Sequence, residues 1–233
     1  MAQSYVIAVY WGPRKEAVDR CARRAAHLLK GLAECDPVFS KWFKLGQSRE
    51  AALRHGVEPK PDTLLLLLRD GQSHVEGAGS HIGLWTGSTD CGSAGFSLNC
   101  GSYSQYVPNS CVINMPTDET IASRLLQAPT LVEMMRCMVT AWEPDWGITN
   151  PSGALDVLEE YQGEERPLVG WLTYLDTSPG SIPRLPSPVQ VMSMGRQGSL
   201  VITTDERFTM SKTHHLQTAS TVAKLLHQAG LRE

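Results

Sequence analysis

The chain has little of what marks several large functional classes. Its leucine run at 64–68 is far shorter than the roughly 20 apolar residues that cross a bilayer, and no basic segment leads into an apolar core of signal-peptide length. A cytoplasmic protein with no membrane partner is therefore expected. Six cysteines, Cys21, Cys35, Cys91, Cys100, Cys111 and Cys137, are scattered without a C-x-x-C pair, which argues for small buried thiols over a zinc ribbon or disulfide framework. There is no basic excess: 21 Lys and Arg stand against 24 Asp and Glu, for a net charge of −3. Direct nucleic-acid binding has no electrostatic support. The G-x-x-x-x-G-K-[ST], H-E-x-x-H and G-x-S-x-G signatures are missing, as are internal repeats and low-complexity blocks.

What remains is an ordinary globular composition, 42% hydrophobic and 19% charged over 233 residues, enough for a core without a metal or disulfide staple. A single domain spanning 1–233 is expected, with a proline-rich surface connection at 177–188. The charge is uneven along it. Residues 14–30 hold six basic and two acidic side chains, a net of +4, whereas 129–165 hold one basic and eight acidic, a net of −7.

Hydrophobic spacing sets the elements. Residues 3–10 form a short β-branched and aromatic run, closed by Trp11-Gly12-Pro13-Arg14. Proline is suited to a first helical turn, so the pattern predicts a strand, a sharp junction packed by Trp11, and a basic helix over 14–33. Asp36-Pro37 predicts a second helical start whose apolar face is Val38, Phe39, Trp42 and Phe43. Ser48 opens a helix to about 55, and Asp62 a helix through the leucine run. Alternation at 82–86, 96–100 and 111–115 predicts three strands, the first two a hairpin. Helices follow at 121–126, 131–142 and 154–161, with a turn at 143–147. Strands are predicted at 168–175, 189–194 and 200–203, the last two joined by a loop at 195–198. An amphipathic helix over 213–229 ends the pattern. The fold class is α+β: a largely antiparallel or mixed sheet with helices packed on one side and long helices near both ends.

Three constellations invite a chemical role. Gly77-Ala78-Gly79-Ser80-His81-Ile82-Gly83 has glycines for a phosphate loop but no strand before it or helix after it. His214-His215 are adjacent at a helix start, where successive side chains point about 100° apart and do not readily share a metal. Cys91 or Cys111 needs a distant histidine to act as a nucleophile. No catalytic, cofactor or metal site is predicted.

The motifs in their order are more specific than any one of them. Tyr10-Trp11-Gly12-Pro13-Arg14-Lys15-Glu16, Cys21-Ala22-Arg23-Arg24, Phe39-Ser40-Lys41-Trp42-Phe43 and Gly46-Gln47-Ser48-Arg49-Glu50-Ala51-Ala52-Leu53 resemble the opening of the Immunity protein 52 family. Leu84-Trp85-Thr86-Gly87, Val112-Ile113-Asn114-Met115-Pro116 and Trp142-Glu143-Pro144-Asp145-Trp146-Gly147 continue the likeness, which weakens after Trp171. The resemblance implies a non-enzymatic immunity protein of a bacterial polymorphic-toxin system. It would bind and neutralise a cognate antibacterial toxin, usually a restriction-endonuclease-like nuclease delivered by contact-dependent or type VI secretion. Nuclease clefts are basic, so the acidic 129–165 segment becomes the expected toxin-binding surface: Asp145, Glu159, Glu160, Glu164 and Glu165 as charges and Trp146 as an aromatic anchor. Against this stands a packed Trp146 with merely solvated glutamates. The competing class is a small-molecule-binding or catalytic α+β domain with a non-local site.

Overall fold

The computed structural model describes residues 3–87, 89–163, 167–177 and 181–231. The strands are β1 (Tyr5–Trp11), β2 (Trp42–Lys44), β3 (Gly56–Val57), β4 (Ser80–Trp85), β5 (Gly95–Cys100), β6 (Asn109–Asn114), β7 (Trp146–Pro151), β8 (Leu172–Leu175), β9 (Gln190–Ser193) and β10 (Ser199–Ile202). They form one sheet in the order β3-β2-β4-β5-β6-β1-β7-β8-β10-β9, with antiparallel pairing throughout. The helices are α1 (Val18–Cys35), α2 (Arg49–Leu53), α3 (Pro61–Asp70), α4 (Glu119–Leu125), α5 (Ala128–Trp142), α6 (Ala154–Gln162) and α7 (Thr213–Gln228). The expected α+β architecture is present.

β1 lies at the middle of the sheet. Val9 pairs with Cys111 of β6 on one side and Gly147 of β7 on the other. Tyr5, Ile7, Val9 and Trp11 alternate onto the face covered by helices, where Trp11 meets Trp142 of α5 and Gly147 approaches Met135. α1 packs between α3 and α5 through Leu28, Leu29 and Leu32, all buried. β4, β5 and β6 are buried on alternate residues only, the pattern of a sheet open on one side. β7, β8 and β10 are buried at every position, so both faces are covered there. α6 and α7 pack on each other, with Ser220 Oγ donating to the Tyr161 carbonyl at 3.2 Å.

Several local expectations give way to tertiary structure. Pro13 does not start α1; the helix begins at Val18 behind an extended Ala17. Residues 12–17 form a loop, because the Arg14 N–H donates to the Ser102 carbonyl at 2.8 Å instead of entering a helical turn. Asp36 caps only a single 3-10 turn, Pro37–Ser40, its Oδ1 accepting from the Val38 N–H at 2.9 Å. Trp42 and Phe43 then enter β2, where Trp42 pairs with Val57 and packs on Phe39 and Phe96. The leucine run is helical as expected, but Pro61 rather than Asp62 opens it. Trp146 and Gly147 belong to the unpredicted β7, not to a turn. Of the proline-rich connection, residues 178–180 lie outside the described residues.

Gly71 ends α3 and accepts a close backbone crossing: a Cβ there would lie 1.8 Å from the His81 carbonyl oxygen. The His81 N–H donates to the Gly71 carbonyl at 2.9 Å, so α3 and β4 cannot separate without losing a backbone bond. Gly71→Ala is expected to destabilise the fold by about 1–3 kcal/mol, read from urea unfolding midpoints against the parent chain.

Candidate functional site: a two-tryptophan corner and an acidic helix

The two motifs around Trp11 and Trp142 are far apart in sequence and assemble into one corner. Trp11 and Trp142 stack with ring centroids 5.1 Å apart, and Tyr10 stacks on Trp146 at 5.2 Å across the β1–β7 pair. The Gly12 N–H donates to Asp145 Oδ2 at 2.8 Å, and the Asp145 N–H donates to the Tyr10 carbonyl at 2.9 Å. Glu143 adopts a left-handed conformation, φ 47°, which turns the end of α5 into β7. A non-glycine residue holds that conformation only where its surroundings enforce it.

The enforcement is electrostatic. The last carbonyls of α5 receive guanidinium donors: Arg24 Nη1 donates to Ala141 at 2.7 Å and Arg14 Nη2 to Trp142 at 2.7 Å. Cations at a helix carboxyl end oppose its dipole and satisfy orphan carbonyls. Glu16, with a side chain only 4% exposed, lies among three arginines, 2.8 Å from Arg24, 2.9 Å from Arg20 and 3.7 Å from Arg14. The bond from Arg24 to Glu143, 2.8 Å long, outweighs partial burial and holds that carboxyl below the usual carboxylate range. Burial pulls the Arg14 guanidinium below its ordinary value, with Glu16 acting in the opposite sense. Arg14 is thus a structural residue of the corner. Beside it is an open cleft of about 370 Å³ whose lining includes Lys15, His74, Glu76 and Tyr103, with Lys15 over the Tyr103 ring at 5.0 Å.

The residues expected to form an acidic toxin-binding surface are not one cluster. Asp145 is exposed at the corner, before β7, whereas Glu159 and Glu160 are exposed on α6, which follows the far end of that strand. Six strand residues span roughly 20 Å. Trp146 is 8% exposed and stacked on Tyr10, so the free chain presents it as a core aromatic. Glu164 and Glu165 lie outside the described residues. α6 itself supplies what Trp146 does not: Leu155 and Tyr161 are 41% and 46% exposed beside Asp156, Glu159 and Glu160. Ala154, Leu158 and Gln162 form the buried stripe four residues apart, and spacing places 155 and 161 at its two borders, where the neighbours in the fold decide their exposure. Gln162 fixes the helix from below, its Nε2 donating to the Val169 carbonyl at 2.7 Å and its Oε1 accepting the Val169 N–H at 2.9 Å.

The chemical constellations resolve differently. Gly77–Gly83 runs directly into β4 rather than a helix, so it aims no helix N-terminus at a phosphate. Cys111 is wholly buried and burial pushes its thiol up, the reverse of an activated nucleophile; Cys91 is exposed. Cys35 and Cys137 are only partly buried, unlike the expected buried thiols, with their sulfurs 4.0 Å apart. His214 and His215 do not diverge: both Nε2 atoms approach Glu206 Oε1, at 3.1 and 3.0 Å. Backbone direction alone misjudged them, because the rings turn toward a carboxylate supplied by the preceding loop.

A family model, Immunity protein 52, matches residues 3–233. The chain belongs to the Immunity protein 52 family. Among solved structures, the Pseudomonas aeruginosa T6SS protein PA0821 is similar to this family member with a TM-score of 0.59 and 11% identity, over 99% of this chain and 73% of that one. At that identity the likeness is one of fold. No curated protein matches. The family motifs now have a physical role: those around Trp11 and Trp142 are the two sides of the corner.

Because the folded Glu143 carboxyl titrates below its unfolded value, its contribution is complete above the ordinary carboxylate range and is lost as pH falls through the folded value. Arg24→Gln is expected to cost about 2 kcal/mol at pH 7 and to flatten the fall in stability as pH drops below the ordinary carboxylate range, both read from urea unfolding.

Proposed function

We propose that this family member neutralises one cognate toxin, a nuclease of a bacterial polymorphic-toxin system, by binding it directly in the cytoplasm of the producing cell. The observation that carries the reading is the family match across residues 3–233. Likeness of fold to a T6SS protein is consistent with delivery of the toxin by that route. Inhibition here is an act of occlusion and requires no catalytic residue of the inhibitor.

The contact surface we propose is the outer face of α6. Ala154–Gln162 holds Asp156, Glu159 and Glu160 and no basic residue. A nuclease cleft is positively charged because it holds phosphates, so this helix complements it and steers the encounter. Leu155 and Tyr161 border the acidic face on its two sides and add exposed apolar and aromatic area to it. Asp145 is 133 residues from Gly12 in sequence and holds its N–H, a structural duty that sets it apart from this surface.

The test uses the toxin encoded beside this chain's gene. The parent chain should restore growth when the two are co-expressed and should co-purify with the toxin. With Asp156, Glu159 and Glu160 all changed to Lys, the association rate at low salt should fall on the order of tenfold or more, with a weaker salt dependence and an unchanged unfolding midpoint. An unchanged rate and salt dependence would reject the α6 surface, while a harmless neighbour would reject the toxin-neutralising role.

A further inference from the structure

The start of α7 gathers two histidines around one carboxylate. His215 is 1% exposed, and its ring is fixed on three sides: Phe208 stacks on it with centroids 5.0 Å apart, His214 meets it edge-on at 4.4 Å, and Thr209 holds Nδ1. The Thr209 backbone presents both an N–H, 3.0 Å from Nδ1, and a carbonyl oxygen, 3.2 Å from it. The two contacts belong to different neutral tautomers, and the one with the proton on Nδ1 gives up the bond from the Thr209 N–H for a bond to the carbonyl. With the proton on Nε2, Nδ1 accepts from the Thr209 N–H and Nε2 donates to Glu206. With the proton on Nδ1, that atom donates to the Thr209 carbonyl and the Nε2 lone pair is free for a cation. A backbone carbonyl behind the distal ring nitrogen is the usual outer support of a metal-ligating histidine.

The geometry points to a zinc-class transition-metal ion bound by Glu206 Oε1, His214 Nε2 and His215 Nε2. These three atoms lie within 4.8 Å of one another. A tetrahedral ion with bonds of about 2.0–2.1 Å separates its ligand atoms by about 3.3 Å. The two Glu206 distances, 3.0 and 3.1 Å, are already close to that edge. His214, 65% exposed at its side chain, has the freedom to complete the set by a small rotation. Two imidazoles and a carboxylate suit zinc, nickel or copper over calcium or magnesium, which prefer oxygen. Lys212 bonds the other oxygen, Oε2, and so leaves Oε1 to face the imidazoles. The solvent side of the site admits water as the fourth ligand.

Its role is to clamp α7. The loop that carries Glu206 is already tied to the centre of the molecule: Tyr5 of β1 donates its hydroxyl to the Phe208 carbonyl at 2.6 Å, and Arg207 bonds Glu119 of α4 at 2.9 Å. Joining Glu206 to His214 and His215 through an ion extends that connection into α7 and, through Ser220, to α6. The ion stabilises the native chain by binding the assembled site and not the unfolded one.

Isothermal titration of the full chain without a histidine tag, treated with chelator and then titrated with zinc chloride, should show one ion per chain. Cobalt substitution should give the visible absorption of a four-coordinate nitrogen and oxygen site, with no thiolate charge-transfer band. His214→Ala and Glu206→Gln should each weaken zinc binding at least tenfold and remove the zinc-dependent rise in unfolding temperature, whereas Cys35→Ser and His227→Ala should leave both unchanged. His214 is exposed, so its variant decides the matter if Glu206→Gln fails to fold by circular dichroism. No saturable binding, or undiminished binding in folded His214→Ala, overturns the site; loss of binding in Cys35→Ser assigns the ion to the thiols and overturns it as well.

Discussion

The Glu16 carboxylate is the constraint from which the architecture follows. Two guanidiniums, Arg14 and Arg24, point at successive carbonyls of one helix end, and without an anion between them their repulsion would oppose the arrangement. Glu16 supplies that anion from the loop between β1 and α1, almost fully enclosed. Breaking such a pair by removing one partner leaves an uncompensated charge in low-dielectric surroundings, which is why its geometry is enforced more strongly than that of a surface ion pair. The bridge fixes where α5 ends, and the end of α5 fixes where β7 begins. β7 is one neighbour of the central strand, so the register of half the sheet depends on it. A slip of one residue would exchange the faces of every strand beyond β1.

That register also divides the sheet by environment. On the β4–β6 side, alternate residues face helices and solvent, so Leu98, Cys111 and Val9 line up across three strands as one layer of core. On the β7–β10 side both faces are enclosed, and β7 brings polar groups inward that are only partly paired: Thr149 Oγ1 and Asn150 Nδ2 have no hydrogen-bond partner among the described residues. Asn150 Oδ1 accepts the Trp171 N–H at 3.0 Å, and the Thr203 hydroxyl donates to the Gly170 and Trp171 carbonyls at 3.0 and 3.1 Å. Such bonds offset the cost of burying an amide or hydroxyl; the Asn150 bond joins β7 to the chain entering β8, and the Thr203 bonds join the chain leaving β10 to the same segment.

These long-range partners explain what was legible in the sequence. α1, α5 and α7 could be read because their apolar spacing is local, as could the Ser48 cap and the β4–β5 hairpin. β7 could not. Trp-Gly-Ile-Thr-Asn-Pro has weak strand character, and its burial is decided by β1, β8 and residues 170–171, not by its own alternation. Trp42 and Phe43 illustrate the same limit: Asp36-Pro37 gave a correct start signal, but pairing with β3 and β4 ended the helical turn after four residues. For the candidate surface, the acidic character of α6 was legible from composition, whereas the burial of Trp146 and the exposure of Tyr161 depend on which neighbours the fold supplies. The His214-His215 pair needed Glu206, a residue that no spacing rule connects to them.

The two charge excesses in the sequence therefore have opposite meanings in three dimensions. The basic excess at 14–30 is largely answered inside the fold: Arg14, Arg20 and Arg24 meet Glu16, Arg24 also meets Glu143, and Arg23 meets Asp19. Arg14 and Arg24 are directed at a helix end, and Arg20 and Arg23 are paired with carboxylates of their own segment, which leaves less of the cluster to act as a phosphate-binding stripe. The acidic excess is distributed otherwise. Glu143 and Asp145 are committed to the corner, while Asp156 and Glu160 stand exposed on a helix that contains no basic residue. Long-range attraction is governed by the charge left after such local pairing, not by the count along the chain. A chain with a net charge of only −3 can therefore present a locally acidic helix to a basic partner while its arginines remain occupied in holding that helix's strand in register.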